Sequence, residues 1–299
     1  ARSRGAVIAV VEHPVDVDIV QLVVTNSVIA LGELASWLIG ELKLAGKLKV
    51  VGITGSNGKT TTKNMLRAIL SKVGSTIAPI ESFNNRVGAP ISILRADVIT
   101  DFLVVEMGAE GLGSIAYLAK MAQPDVAVIL KVGMAHAGEF GGLDETAKIK
   151  GELAEAVGED SQLVLNADDG LVSAMKVRSK ASVSWFGTSS EADFWANEIS
   201  LSQDGTSFVL NWPDGQRTPV RLSILGEHHI MNALAAATVS TLLGATKAQI
   251  VEALQAMELA ERWRMQRLVR DDGVTVINDS YNASPDSMKA ALQTLAQLG

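Results

Sequence analysis

The residues that point most directly to chemistry are Gly52-Ile53-Thr54-Gly55-Ser56-Asn57-Gly58-Lys59-Thr60-Thr61. Closely spaced glycines let a backbone fold tightly, so that its N–H groups turn toward phosphate oxygens. A helix that starts there adds partial positive charge. Lys59 is then the side chain to reach outer phosphates, and the Thr60 hydroxyl the one to meet Mg²⁺. Ile53 stands where the commoner, longer phosphate-loop spacing has its first glycine, so the working pattern is Gly55-x-x-Gly58-Lys59-Thr60. A glycine-rich turn with an incidental lysine is the plain alternative, and a strand entering with a helix leaving argues against it. The second candidate is Glu106, in Val104-Val105-Glu106-Met107-Gly108. A lone carboxylate at a strand end is usually just solvated. In the sheet that carries a phosphate loop it is placed to hold Mg²⁺.

The elements that must position these residues are legible as patterns. Strand-like runs at 49–54, 102–107, 126–132 and 162–166 alternate with helical patterns at 60–72, 114–122, 144–157 and 169–177. Such alternation predicts an α/β fold, with a mostly parallel sheet flanked by helices and ligands at the C-terminal strand ends. Residues 193–225 read instead as short strands around the turn signals Asp204-Gly205 and Asp214-Gly215, an antiparallel patch at the sheet edge. An Ala-rich helix over 229–243 follows, stopped by Gly244, then a helix to about Met257, a strand at 274–277 and a helix from Pro285.

The chain has 299 residues and a net charge of -7, with 47% hydrophobic residues and no cysteine. The length suits more than one domain. The acidic balance argues against a general nucleic-acid binder. Without cysteine there is neither a disulfide framework nor a thiolate zinc site. The apolar stretch 15–48 is broken by Asp16, Asp18, Glu33 and Glu41, so no membrane span is expected. A cytoplasmic monomer is the expectation.

Thr54–Thr61, taken with Glu106-Met107-Gly108-Ala109, resembles the Mur ligases. So do, in family order, Ser82-Phe83-Asn84-Asn85-Arg86-Val87-Gly88-Ala89-Pro90, the run from Val132 to Gly141 that contains His136, Lys150-Gly151-Glu152, Asn166-Ala167-Asp168-Asp169, and Asp279-Ser280-Tyr281-Asn282-Ala283-Ser284-Pro285-Asp286-Ser287-Met288. The last segment resembles the branch that adds D-alanyl-D-alanine to UDP-N-acetylmuramoyl-tripeptide in peptidoglycan precursor synthesis. Folylpolyglutamate synthases share the phosphate loop and not that ending. The resemblance implies an ATP-dependent, ADP-forming ligase that joins a carboxylate to an amine through an acyl phosphate. Such chemistry asks for a phosphate cradle, cations and positioning.

The resemblance also implies site roles. Gly55, Ser56, Asn57, Gly58, Lys59, Thr60 and Thr61 would surround the ATP phosphates. His228 and Asn232, four apart at a helix start and so on one face, would meet the adenine. Arg264, Asp279, Tyr281 and Asn282 would reach the nucleotide from the C-terminal side, and Ser82, Asn84 and Asn85 would face the UDP-muramoyl peptide. Two Mg²⁺ sites are implied, held by Thr60, Glu106 and His136, with Lys150 added once CO₂ carbamylates it. Lys59, Glu106, His136 and Lys150 form the implied catalytic set. Taken alone, His136 reads as a surface loop histidine, Lys150 as a solvated helix lysine and the two asparagines as turn residues. Carbamylation needs a neutral amine, hence a lowered pKa. Lys131 and His229 stand where the family usually has Asn, and Asn278 and Ser284 also depart from its pattern.

The implied organisation is a partial N-terminal UDP-substrate domain over 1–47, a central ATP-binding domain over 48–262, and the start of a truncated C-terminal domain over 263–299. Two further readings stay open: another Mur-type or folylpolyglutamate-type ligase, and an inactive nucleotide-binding fragment.

Overall fold

Apolar strand residues bury alternately on two sides of one sheet. Val50, Leu103, Val105, Ala127, Ile129 and Leu163 pack in one core; Val51, Ile53, Val104, Val126, Val128 and Val164 pack in the other. Successive side chains of a strand point to opposite faces, and strands apolar on both faces need helices on both. The computed structural model describes residues 2–79, 82–134, 137–259 and 261–298.

The N-terminal part holds β1 (Ile8–Val11) and β2 (Val20–Val23), a parallel pair, then α1 (Ser27–Leu44), which Asn26 caps through its side chain. The parallel sheet is built from β3 (Lys49–Thr54), α2 (Lys59–Leu70), β4 (Thr76–Ile77), α3 (Gly88–Ile93), β5 (Phe102–Glu106), α4 (Ser114–Ala122), β6 (Val126–Ile129), α5 (Ala137–Phe140), α6 (Leu143–Glu155), β7 (Gln162–Asn166), α7 (Gly170–Ser173) and β8 (Ser182–Gly187). Then come β9 (Phe194–Ser202), β10 (Gly205–Asn211), β11 (Arg217–Leu222), α8 (His228–Leu242) and α9 (Lys247–Gln255). A hairpin of β12 (Gln266–Val269) and β13 (Thr275–Asn278) precedes α10 (Pro285–Leu298).

Among the described residues the main sheet runs β11-β10-β9-β8-β7-β6-β3-β5-β4, parallel from β4 through β9 and antiparallel across β9, β10 and β11. The antiparallel patch therefore extends the edge of the parallel sheet, as its turn signals predicted. Helices α2, α8 and α9 cover one face, and α1, α3, α4 and α6 the other. Helix α1 thus shares the central core through Ala35, Ile39 and Leu42. No described helix is long and apolar enough to cross a membrane.

Several elements differ from their sequence patterns. The strand expected to reach Val132 ends at Ile129, because the Lys131 carbonyl is taken by the Ser56 N–H of the phosphate loop at 2.8 Å. The helix expected over 169–177 is one α-turn followed by a 3₁₀ segment, Ala174–Arg178. β8 and β12 had no sequence counterpart. Their identity as strands comes from their partners, β7 and β13.

Candidate active site

β3 runs between β5 and β6 in the centre of the parallel sheet, and its C-terminal end opens into the loop 55–58. Gly58 is the N-cap of α2, at φ +87°, where an L side chain is strained; a methyl there would also overlap Asn232 Oδ1. Glycine at 58 therefore meets two demands, a left-handed turn and close packing of α8 on α2. The cap makes no side-chain hydrogen bond to the helix start, which leaves the first N–H groups of α2 facing the loop.

Register Ile53↔Glu106 puts the last residue of β5 beside the end of β3. Glu106 is 1% exposed, and both of its oxygens are engaged. Thr60 Oγ1 donates to Oε2 at 3.1 Å and Asn84 Nδ2 to Oε1 at 2.7 Å. Ser82 Oγ lies 3.0 Å from Thr60 Oγ1. Two hydroxyls and a carboxylate converging at a helix start are hard oxygen donors of the kind Mg²⁺ takes, and Mg²⁺ keeps further places for water and phosphate. The donor set therefore fits that ion. The described residues bring together no group of three His, Cys, Asp or Glu suited to a metal. His136 lies outside the described residues.

Lys59 Nζ donates to Gly55 O at 2.8 Å. Loss of water lowers its pKa, Glu106 opposes that shift, and Arg264 adds to it. Lys63, one turn further along α2, is fully buried and donates to Pro79 O at 3.0 Å; burial lowers its pKa too, against Glu106 and Glu261. Its spacing of four from Lys59 was the available sequence signal for it. Lys150 is 3% exposed on α6, and burial, then repulsion from Lys59, lower its pKa to about 7. The amine the sequence left as a possible solvated lysine is thus buried, with a free-base fraction that an exposed lysine lacks at neutral pH.

The neighbours of Lys150 explain how α6 holds it. Gly151 leaves room for the Arg178 guanidinium, which donates to Ala147 O at 3.3 Å, Lys148 O at 3.0 Å and Glu155 Oε1 at 2.9 Å. Glu152 accepts from the N–H of Gly113 at 2.6 Å and of Ala116 at 2.9 Å, so a buried carboxylate of α6 caps the start of α4. Neither Arg178 nor this use of Glu152 was read from the sequence, because both depend on elements far apart in the chain.

On the other side of the loop lies a cavity of about 330 Å³, lined by Asn57, Gly58, His228, His229, Asn232 and Arg264 among others. Thr61 and Asp279 also reach it. Arg264 stacks its guanidinium 4.1 Å from the Tyr281 ring centroid, and Asp279 Oδ1 accepts from Met265 N at 3.0 Å. Burial raises the Asp279 pKa. Asp286 Oδ2 accepts from Met134 N at 2.8 Å, tying the start of α10 to the loop after β6. Asn282 does not line the cavity; its Oδ1 accepts from Ala283 N at 2.8 Å. Ser56 lies at the base of the loop, where its Oγ donates to Gly133 O and accepts from Gly133 N. Asn85 accepts from the N–H groups of Gly88 and Val87, an N-terminal turn for α3, whereas Asn84 bonds Glu106 directly.

A parallel sheet with this loop and carboxylate is the frame of a phosphate-handling enzyme. Residues 53–240 match the family model of the Mur ligase middle domain, and residues 263–299 that of the Mur ligase, glutamate ligase domain. The chain belongs to the Mur ligase family. It is similar to the UDP-N-acetylmuramoyl-tripeptide–D-alanyl-D-alanine ligase of Mycobacterium tuberculosis, with 46% identity over 268 residues, covering 89% of this chain and 52% of that protein. It is 35% identical over 300 residues to the Escherichia coli ligase of the same name, covering 100% of this chain and 65% of that one. The chain thus spans between half and two thirds of the length of these relatives. Among solved structures, MurF from Acinetobacter baumannii matches with a TM-score of 0.92 at 35% identity, over 100% of this chain and 64% of that one. MurF from Thermotoga maritima in complex with ADP matches at 0.87 and 29% identity, over 99% and 67%.

Proposed function

We propose that this protein is an ATP-dependent amide ligase that joins D-alanyl-D-alanine to UDP-N-acetylmuramoyl-tripeptide, a step of peptidoglycan precursor synthesis in the cytoplasm. The observation that carries the reading is the convergence of Lys59, Thr60 and Glu106 at the start of α2, in a chain 46% identical to a relative of that name.

The N–H groups of the α2 start and loop would receive the ATP phosphates. Lys59 would exchange its bond to Gly55 O for the outer phosphates. A substrate carboxylate oxygen attacks the terminal phosphorus, the bond to the bridging oxygen breaks and ADP leaves. The amine of the dipeptide then attacks the acyl carbon, the C–N bond forms, phosphate departs and the amine proton is lost. Mg²⁺, held by Thr60, Glu106 and His136 with Ser82 alongside, would offset the crowded negative charge. Lys150, with a pKa of about 7, has enough neutral amine to add CO₂ and become an anionic ligand. His228, Asn232, Arg264, Asp279, Tyr281 and Asn282 would serve the nucleoside side, and Asn84 and Asn85 the UDP-peptide side. We keep the division into 1–47, 48–262 and 263–299 as part of this proposal.

The test is ADP release with UDP-N-acetylmuramoyl-tripeptide and D-alanyl-D-alanine, each omitted in turn. Release that depends on both supports the proposal. Release supported by a folate and glutamate, or binding of ATP without substrate-dependent turnover by the chain extended to its relatives' length, would refute it.

A further inference from the structure

Lys63 is fully buried on α2, and its Nζ donates to Pro79 O at 3.0 Å. Pro79 is itself buried and stands two residues past β4, whose ladder to β5 ends at Ile77. A buried carbonyl beyond the end of a ladder needs a donor from elsewhere in the fold. Lys63 supplies one at the expense of its own hydration, since loss of water is the largest influence on its amine and lowers its pKa. A long apolar side chain would fill the same slot without that penalty. The amine must therefore do something that packing alone does not.

The chain that leaves Pro79 shows what that is. Ser82 Oγ lies 3.0 Å from Thr60 Oγ1, Asn84 Nδ2 donates to Glu106 Oε1 at 2.7 Å, and Asn84 O accepts from Gly108 N at 2.7 Å. This segment is thus pinned at its far end to the corner where Thr60 and Glu106 meet. Lys63 pins its near end, where the chain departs from the sheet. Lys59 and Lys63 are four apart, on one face of α2. The first bonds the phosphate loop at Gly55 O and the second bonds the start of the Ser82 segment. One rigid helix so carries an anchor for each side of a transfer reaction. Reacting atoms must be held near contact, and small misplacements cost large factors in rate.

We propose that Lys63 is a positioning residue for the substrate that bears the carboxylate: by holding the chain at Pro79 it sets Ser82 beside Thr60, where Ser82 meets the UDP-muramoyl peptide. This rests on the ligase reading above. Helix α2 then fixes both partners of the phosphoryl transfer, one through Lys59 and one through Lys63.

The test is steady-state ADP release by the chain extended to its relatives' length, as wild type, Lys63→Met, Ser82→Ala and the double variant, with ADP affinity measured by calorimetry. Lys63→Met is expected to raise the KM for UDP-N-acetylmuramoyl-tripeptide about tenfold, the worth of one hydrogen bond, and to leave the Kd for ADP within about twofold of wild type. In the Ser82→Ala background the same change is expected to add little, because the two residues act along one chain of contacts. An ADP affinity that falls as far as the tripeptide KM rises would mean that α2 itself has loosened, and would overturn the proposal. So would independent, additive effects of Lys63→Met and Ser82→Ala. An altered Mg²⁺ requirement at an unchanged tripeptide KM would mean that Lys63 acts by its charge on Glu106, and would overturn it as well. Where Lys63→Met does not fold, Lys63→Gln, with a shorter uncharged donor, is read in the same way; loss of folding in both assigns Lys63 to stability and overturns the proposal. A wild type that releases no ADP with both substrates present overturns the ligase reading itself, before any variant is compared, and the proposal with it.

Discussion

Burial, and after it repulsion from Lys59, brings the Lys150 amine far below the ordinary lysine range. The ordinary lysine value is 10.5, and in the folded protein Lys150 stands at about 7. Below pH 7 both folded and unfolded states carry the ammonium, and folding bears the full cost of burying it. Between 7 and 10.5 the unfolded chain holds more protons, so stability rises with pH. In CO₂-free buffer, Lys150→Met is therefore expected to stabilise the protein by a few kcal/mol at pH 6 and by progressively less toward pH 10. Thermal melts across that range check the sign, and an equal gain at both ends would contradict it. At Lys59 the expectation is different. Burial lowers its pKa as well, against the attraction of Glu106, so Lys59→Ala removes a desolvated cation and should not lower the melting temperature by more than a few degrees. Loss of its point charge should lower ATP turnover by at least about 100-fold. Normal turnover in that variant would remove the phosphate-loop assignment.

At the scale of elements, α6 does three tasks with three successive residues. Lys150 is buried within electrostatic reach of Lys59, Gly151 admits Arg178, and Glu152 caps α4. A methyl on Gly151 would overlap the Arg178 guanidinium, which is flexible and would swing away, giving up its bonds to Ala147 O, Lys148 O and Glu155. Gly151→Ala should cost about 1–2 kcal/mol in urea unfolding with an unchanged m-value. Glu152→Ala should cost about 1–3 kcal/mol, because two N–H groups at the start of α4 lose a charged acceptor. A neutral outcome for Glu152→Ala would mean that water replaces the carboxylate without penalty.

For the whole molecule, the C-terminal segment docks on the central sheet through a few directional contacts. Asp286 accepts from Met134 N, Arg267 Nη1 donates to Gln203 O at 2.8 Å, and Gln297 Nε2 donates to Glu227 Oε1 at 3.3 Å. Few contacts across a boundary make relative motion easy. Asp286→Ala should leave the melting of the main sheet within about 0.5 kcal/mol of wild type while speeding amide exchange at Met134 and over β12 and β13. Unchanged exchange there would show that apolar packing of α10, not Asp286, fixes the segment.

The order of strands and helices was legible because each apolar run and each helical period is a local pattern; 49–54 and 162–166 could be read without any partner, and 102–107 to within one residue of the observed Phe102–Glu106. The phosphate loop was equally local, since Gly58, Lys59 and Thr60 are neighbours in sequence and the turn they make depends on their own backbone. What the sequence could not supply was any relation that crosses the sheet. Its strand order decides that Glu106 ends beside Thr60, and the packing of α6 decides that Lys150 is buried. The stacking of α8 on α2 decides that His229 Nε2 is buried without a hydrogen-bond partner while Asn232 lies against Gly58 of the loop. Type and spacing fix what a side chain is able to do. Burial, neighbouring charge and the number of open hydrogen-bonding positions decide what it does, and those exist only once distant segments have packed.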